Sequence, residues 1–403
     1  MSSKTTPIKI RPEVLAVPGY KQGQAPANLG YKLSSNENPY PPLRVVLEAI
    51  ADRTDFNRYT AADVTKLREN IAATENERQL CRQSTAAARG GNPLRAATAL
   101  QQLKPLSAAN VHVLGAGSVA ILYQLIGATC GPANNYVYPW PSFEAYPLLG
   151  TVPGATGKPV PLTAAGSHDL TAMAAAVDDA TGAVLLCSPN NPTGPTITAA
   201  EFKDFMQQVP RDVMVVLDEA YAEFVTDAAA VDGVSLLHNY PNLVVLRTFA
   251  KAQGLAGLRL GYGFAAPEIW AAVSPAAIPM SVNALSEAAA LAALSDEGQR
   301  EITARVATLV QRRAELVQGL TQLGLTVPAA QGNFVWIPAA QLAAAPGAGG
   351  EADPPTAYAA QLAAQGILVR PFAGHGVRIS VAEAESIPAV LAATATYLRQ
   401  ESV

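Results

Sequence analysis

Between about residues 110 and 265, short apolar runs alternate with stretches whose apolar residues recur every three or four positions. VHVL (111–114) precedes SVAILYQLIGA (118–128), and NYVYP (135–139), AVLLC (183–187), VMVVL (213–217), LVVLR (243–247) and GYGFA (261–265) follow. AAEFKDFMQQV (199–209) is a helix candidate between two of these runs. Continuous apolar runs of this length predict strands covered on both faces. With helices between them, they predict an α/β domain built on a mostly parallel sheet. Ligands of such sheets gather beyond the carboxyl ends of the strands, so the loops after each run are the place to look.

Residues 283–323 predict one or two long helices leading to a smaller α+β unit, built from TVPAAQGNFVWI (326–337), GILVRPF (366–372) and VRISV (377–381). PAAQLAAAPGAGGEADPPTA (338–357) reads as a low-complexity surface insertion. Residues 74–107, weakly periodic and with four arginines, read as a solvated helix plus loop.

The 403 residues suggest two or three domains. With 49% apolar and 15% charged residues, a large core is available and a disordered chain is excluded. A net charge of -4 without clustered Lys and Arg argues against nucleic acid. No apolar run is long enough to span a membrane, and MSSKTTPIKIRPE does not read as a secretion signal. Cys81, Cys130 and Cys187 stand 49 and 57 residues apart, which fits neither a disulfide framework nor a zinc site. The expectation is a soluble, cytoplasmic protein without a metal.

Five loops carry candidate chemistry. Gly115-Ala116-Gly117-Ser118-Val119 brings backbone N–H groups and a helix dipole to an anion, or is only a tight turn with a serine cap. SPNNPTG (188–194) offers an asparagine amide to a ligand oxygen, or is only a turn. Asp218 ends an apolar run, where a carboxylate is costly unless paired. It is either a helix N-cap or the partner of a cationic ring nitrogen, with Tyr221 bonding a neighbouring oxygen. Lys251 follows another apolar run. Unless solvated, its ammonium would be disfavoured by desolvation, which suits a Schiff-base nucleophile and general base. Arg378, with Arg370 upstream, calls for a planar anion, either a ligand carboxylate or a structural partner.

In this order, with Arg259 eight residues beyond Lys251, the motifs resemble those of fold-type I pyridoxal-phosphate aminotransferases across nearly the whole chain. LSSNENPYPP (33–42), NRY (57–59), SPNNPTG, DEAYAEF and RTFAKAQGLAGLRLGY (247–262) are similar to the histidinol-phosphate aminotransferase branch. PWPSFEAYP (139–147), GNFVWIP and GVRISV resemble actinobacterial aromatic (phenylalanine) aminotransferases.

The resemblance implies the aspartate aminotransferase-like α/β fold. Residues 1–45 would pack with the small domain, 46–285 would form the large cofactor-binding domain with its mostly parallel sheet, and 286–403 the linking helix and smaller α+β domain. It implies pyridoxal 5'-phosphate as cofactor. Lys251 would attach it and then move the proton between substrate and cofactor, while Asp218 keeps the pyridine nitrogen protonated. Asn191 and Tyr221 would bond the ring oxygen, Phe143 would stack on the ring, and Ser118, Val119 and Arg259 would hold the phosphate. Tyr59 would reach the phosphate bound by a partner subunit, which implies a homodimer with shared sites. Arg378 would bind the substrate carboxylate with Asn333 nearby and Arg370 as a further substrate contact; Tyr20 and residues 36–40 would line the side-chain pocket.

The chain departs from the pattern at Ala250, where a serine is usual, at Gln253 in place of tyrosine, and at Pro141 in place of an arginine. Loss of the serine would cost on the order of 1.5–3 kcal/mol of cofactor affinity if uncompensated. The 55 residues from Thr60 to Leu114 are also longer than this part of the family. The leading expectation is ping-pong transamination of aromatic amino acids (phenylalanine, tyrosine, tryptophan) with 2-oxoglutarate as acceptor. Histidinol phosphate is the alternative donor. A decarboxylase or lyase, or a cofactor-weak non-enzymatic relative, comes behind both.

Overall fold

The computed structural model describes residues 8–17, 19, 30–61, 63–90, 104–343 and 353–399, with the backbone alone for 83–90; Tyr20 lies outside them. Seven strands form the central sheet: β2 (Val111–Gly115), β3 (Asn135–Trp140), β4 (Thr156–Pro161), β5 (Thr181–Cys187), β6 (Met214–Asp218), β7 (Leu243–Thr248) and β8 (Leu260–Phe264), following a two-residue β1 (Tyr31–Lys32) outside it. The order is β2-β8-β7-β6-β5-β3-β4. β8 runs antiparallel to both its neighbours, and the other pairs are parallel.

The apolar runs are continuous because both faces of this sheet are buried. Val184, Leu186, Val215, Leu217 and Val245 pack into one core with Phe202 and Phe205 of the helix Ala199–Gln208. Their alternates Leu185, Cys187, Val216, Val244 and Leu246 pack into a second core with Ile121, Leu122 and Leu125 of the helix Ser118–Thr129. The two-residue period thus assigns successive side chains to opposite layers. β4 is a strand that no apolar run announces. TGKPVP lies at the sheet edge, where prolines that cannot donate to the ladder are tolerated.

The long helical stretch is two helices, Ala284–Ala293 and Asp296–Gln322, divided where the Ser295 hydroxyl accepts from Gly298 N at 3.2 Å. Beyond them β9 (Phe334–Pro338), β11 (Arg370–Phe372) and β12 (Gly376–Ser380) form an antiparallel sheet in the order β11-β12-β9. β1 pairs with β10 (Ile367–Leu368), which ties the amino-terminal segment to this end of the chain. Of the low-complexity stretch, both described ends are helical, and Leu342 and Pro355 are buried there. The helix Thr65–Gly90 takes up the first part of the 74–107 segment. It is less solvated than its composition suggests, because Glu75 and Gln79 are buried. Among the described residues no helix is long and apolar enough to cross a membrane.

One close approach fixes the site. A Cβ on Gly261 of β8 would stand 2.0 Å from Ser118 N, at the start of the helix Ser118–Thr129. Gly261→Ala is therefore expected to push the helix start off the sheet and lower stability by at least about 1–3 kcal/mol, checked by urea unfolding of the variant against the parent.

Candidate active site

The strands β2, β5, β6 and β7 run in one direction, so their carboxyl ends and following loops open on one edge of the sheet. There a cavity of about 490 Å³ is lined by Ser118, Val119, Phe143, Asn191, Asp218, Tyr221, Lys251, Arg259, Arg370 and Arg378. The structure thus brings together residues up to 260 positions apart in sequence. Of the remaining sequence candidates, Asn333 lies just behind the cavity wall, and Tyr59 is 84% exposed, away from its own chain's cavity. A larger cleft of about 610 Å³ under the helix Thr65–Gly90 holds charged groups that already pair with one another, Arg247 with Glu219 and Arg82 with Asp232.

Asp218 closes β6, paired in register with Cys187 and Leu246. It is 5% exposed and has no cation within ion-pair distance among the described residues. The Tyr146 hydroxyl donates to one oxygen at 3.2 Å and Ala220 N to the other at 3.2 Å. Burial pushes its pKa from the ordinary 3.8 up to about 6, against those two hydrogen bonds and the attraction of Lys251.

Lys251 lies half-buried, three residues beyond β7. Its Nζ donates to the carbonyls of Ser35 at 3.1 Å and Asn36 at 3.2 Å. Desolvation, followed by the nearby Arg378 charge, pulls its pKa down to about 7. The Asn36–Tyr40 segment is the strap over it. Asn36 is fully buried with φ of 52°, a conformation that asparagine tolerates. Its N–H donates to Ser380 Oγ at 2.8 Å, its amide donates to Tyr221 Oη at 2.9 Å, and its carbonyl accepts from Asn333 Nδ2 at 3.2 Å. Asn38 Nδ2 donates to the carbonyls of Lys251 and Ala252.

At the opposite end, the helix Ser118–Thr129 begins after Gly117, which has φ of 83° and supplies no side-chain cap. A Cβ there would meet Arg259 Nη2 at 2.8 Å. Arg259 itself has φ of 55°, and its guanidinium donates to the carbonyls of Ala256 and Ala116. Open N–H groups, a helix dipole and a guanidinium converge there as an anion site. Ala250 lines the cavity without a hydroxyl, although Thr248 stands beside it and accepts from Ala250 N at 3.1 Å. Gln253 points away to donate to Glu223 at 3.1 Å, and the Pro141 carbonyl accepts from Asn190 at 3.2 Å.

Two arginines reach in from the small sheet. Arg378 donates to Asn191 Oδ1 and to the Ser34 carbonyl. Arg370, directly across the ladder from it, grips Glu144. Glu144 and Tyr146 carry no local sequence signal beyond following Phe143, and sequence reasoning missed both.

The sequence pattern that defines aminotransferase class I and II matches residues 30–392. The aromatic amino acid aminotransferase of Streptomyces avermitilis is 40% identical over 402 residues, covering 99% of each chain. That of Streptomyces coelicolor is 41% identical over 389 residues, covering 95% of this chain and 96% of its own. Among solved structures, histidinol-phosphate aminotransferase from Sinorhizobium meliloti in complex with pyridoxal-5'-phosphate superposes with a TM-score of 0.76 at 23% identity, covering 99% of each chain. Aspartate aminotransferase from Thermus thermophilus with maleate gives 0.71 at 20% identity, covering 90% of each.

The Asp218 shift has a stability consequence. Its folded pKa lies above the unfolded one, so the folded chain binds more protons between about pH 4 and pH 6, and stability from this group falls as pH rises through that window. In the ligand-free protein, Asp218→Asn is expected to gain roughly 3 kcal/mol above pH 6, and the gain should vanish as pH falls to about 4. Urea unfolding of both proteins across pH 4–8 checks this; a gain independent of pH would exclude the ionised carboxylate as its source.

Proposed function

The chain belongs to the class I and II aminotransferases, enzymes dependent on pyridoxal phosphate, and from that membership we propose that it moves the amino group of aromatic amino acids to 2-oxoglutarate. The observation that carries the chemistry is the convergence of Lys251, Asp218, Arg259 and Arg378 on one cavity. The donor class is supported by relatives near 40% identical over nearly the whole chain that are themselves aromatic amino acid aminotransferases.

Two features of the cavity fit the cofactor. The buried Asp218 carboxylate lacks a cation among the described residues, which a protonated ring nitrogen would supply. The uncapped helix start beside Arg259 fits a phosphate. When bound, pyridoxal phosphate supplies a carbonyl carbon conjugated to an electron-withdrawing ring, which stabilises negative charge developing at the substrate Cα.

The chain's own residues do the rest. Lys251 Nζ, with its pKa near 7, is substantially neutral at neutral pH and so serves as nucleophile and as acceptor of the Cα proton. Arg378 binds the α-carboxylate and so orients the substrate, and its bond to Asn191 Oδ1 leaves the Asn191 amide N–H groups for the ring oxygen. Tyr221 donates to the same oxygen. Asn36 Nδ2 occupies its lone pair, and burial raises its pKa, so the hydroxyl proton is kept and free to donate. Phe143 packs on the ring face. Two copies share their sites in this reading, since Tyr59 and Phe56 are exposed apolar rings with no role in their own chain's cavity.

The purified holoenzyme is expected to form glutamate from phenylalanine and 2-oxoglutarate, and Lys251→Ala is expected to lower kcat by more than about 10⁴-fold. Glutamate formed from histidinol phosphate but not from phenylalanine would move the donor to the other branch, and release of carbon dioxide without glutamate would replace transfer by decarboxylation.

A further inference from the structure

Transfer between an aromatic amino acid and a dicarboxylic 2-oxo acid puts two different molecules in one cavity in turn. Both carry an α-carboxylate, which one arginine can serve. Their far ends differ. One is an uncharged ring, and the other is an anion. A fixed unpaired cation at the far end would favour the acid and penalise the ring, and a purely apolar wall would do the reverse.

The two arginines of the small sheet are placed for this problem. Arg370 and Arg378 are direct partners across the β11–β12 ladder, and both line the cavity. Like charges opposed in this way are unfavourable unless each is engaged. Arg378 donates to the neutral oxygens of Asn191 and Ser34. Arg370 instead holds a carboxylate: its Nε lies 3.1 Å from Glu144 Oε2 and its Nη2 2.6 Å from Glu144 Oε1. Glu144 follows Phe143 in the loop after β3, on the large-sheet side, and also lines the cavity. The two side chains are 18% and 28% exposed, so the pair is shielded but within reach of water.

We propose that Glu144 is a specificity-determining residue, an internal carboxylate that occupies Arg370 while the aromatic donor is bound and yields it to the distal carboxylate of the acceptor. This rests on the proposed use of a dicarboxylic acceptor. The exchange replaces one bidentate carboxylate by another on the same two N–H donors, so it changes little in the arginine's own hydrogen bonding. The displaced Glu144 regains hydration at its exposed edge. An aromatic ring makes no claim on the guanidinium, so the pair stays closed and presents it a wall without net charge. Selectivity then comes from a competitor built into the protein as much as from attraction.

The test is steady-state kinetics on holoenzyme with 2-oxoglutarate and with pyruvate, a 2-oxo acid that lacks the distal carboxylate. Glu144→Gln removes the competitor's charge and is expected to lower KM for 2-oxoglutarate roughly three- to tenfold, and to raise the 2-oxoglutarate to pyruvate ratio of kcat/KM accordingly. Arg370→Gln is expected to reverse that ratio by more than about tenfold. Opposed shifts are not the signature of a pair that merely holds two elements together. Should Glu144→Gln not fold, Glu144→Asp, which keeps the charge but is too short for the same grip, is expected to move the ratio in the same direction by a smaller factor. An unchanged ratio, or one that both variants move the same way, would overturn the proposal and leave the transamination reading standing. A parent enzyme that converts phenylalanine with pyruvate but not with 2-oxoglutarate would remove the acceptor reading and this inference together. Failure to react with phenylalanine at all would count against the donor reading alone.

Discussion

A buried acid and a half-buried base at neighbouring strand ends, neither given a full partner, is the constraint on which this site depends. Asp218 closes β6 and Lys251 follows β7, and desolvation brings their pKa values towards each other, to about 6 and about 7. Each is thereby destabilised in its charged form. The sheet makes this possible. Parallel strands buried on both faces end together, so charges there sit at the floor of a cavity instead of in bulk water.

The residue after Asp218 shows the opposite solution. Glu219 is as buried, yet it bonds Arg247 at 2.7 Å and 3.0 Å and accepts from Gly233 N at 2.8 Å. The alternation of a strand end sends the two carboxylates to different places. One goes into the cavity, and the other into a network with Arg247 that approaches Glu75 of the helix Thr65–Gly90. That network explains why a helix of polar composition is partly buried. Its Glu75 faces the Arg247 guanidinium inside the protein.

What the sequence disclosed follows from the same physics. Strands covered on both faces announce themselves as apolar runs, and a charge in or just past such a run is conspicuous, which is why Asp218, Lys251 and Arg378 stood out in the sequence, each with a structural alternative beside the functional one. β4 was not, because an edge strand with Pro159 and Pro161 lacks both the run and the ladder donors that define one. Glu144, Tyr146 and Ser34 were not, because their importance lies wholly in what reaches them from far along the chain. Arg370 comes to Glu144 from 226 residues away and Arg378 to Ser34 from 344. The resemblance to a known family brought Phe143 into view, whereas local patterning had left Asn191 between a turn and an amide donor and Tyr221 as a possible partner of a ligand oxygen.

Two connections of different character join the small sheet to the surroundings of Lys251. One passes through Asn36, which bonds Ser380 of β12, Asn333, Tyr221 and Lys251 at once. Every one of its polar groups is engaged, it is fully buried, and its backbone is held in the left-handed region, so a local change there would break several hydrogen bonds in one step. The other is the Arg370–Glu144 pair, a single carboxylate on a guanidinium at the cavity edge. A substrate carboxylate can replace Glu144 like for like, but nothing a substrate carries can replace Asn36. In the proposed exchange, adaptation to a changing far end is therefore confined to the second connection, while the first holds Lys251, Tyr221 and the small sheet in fixed relation.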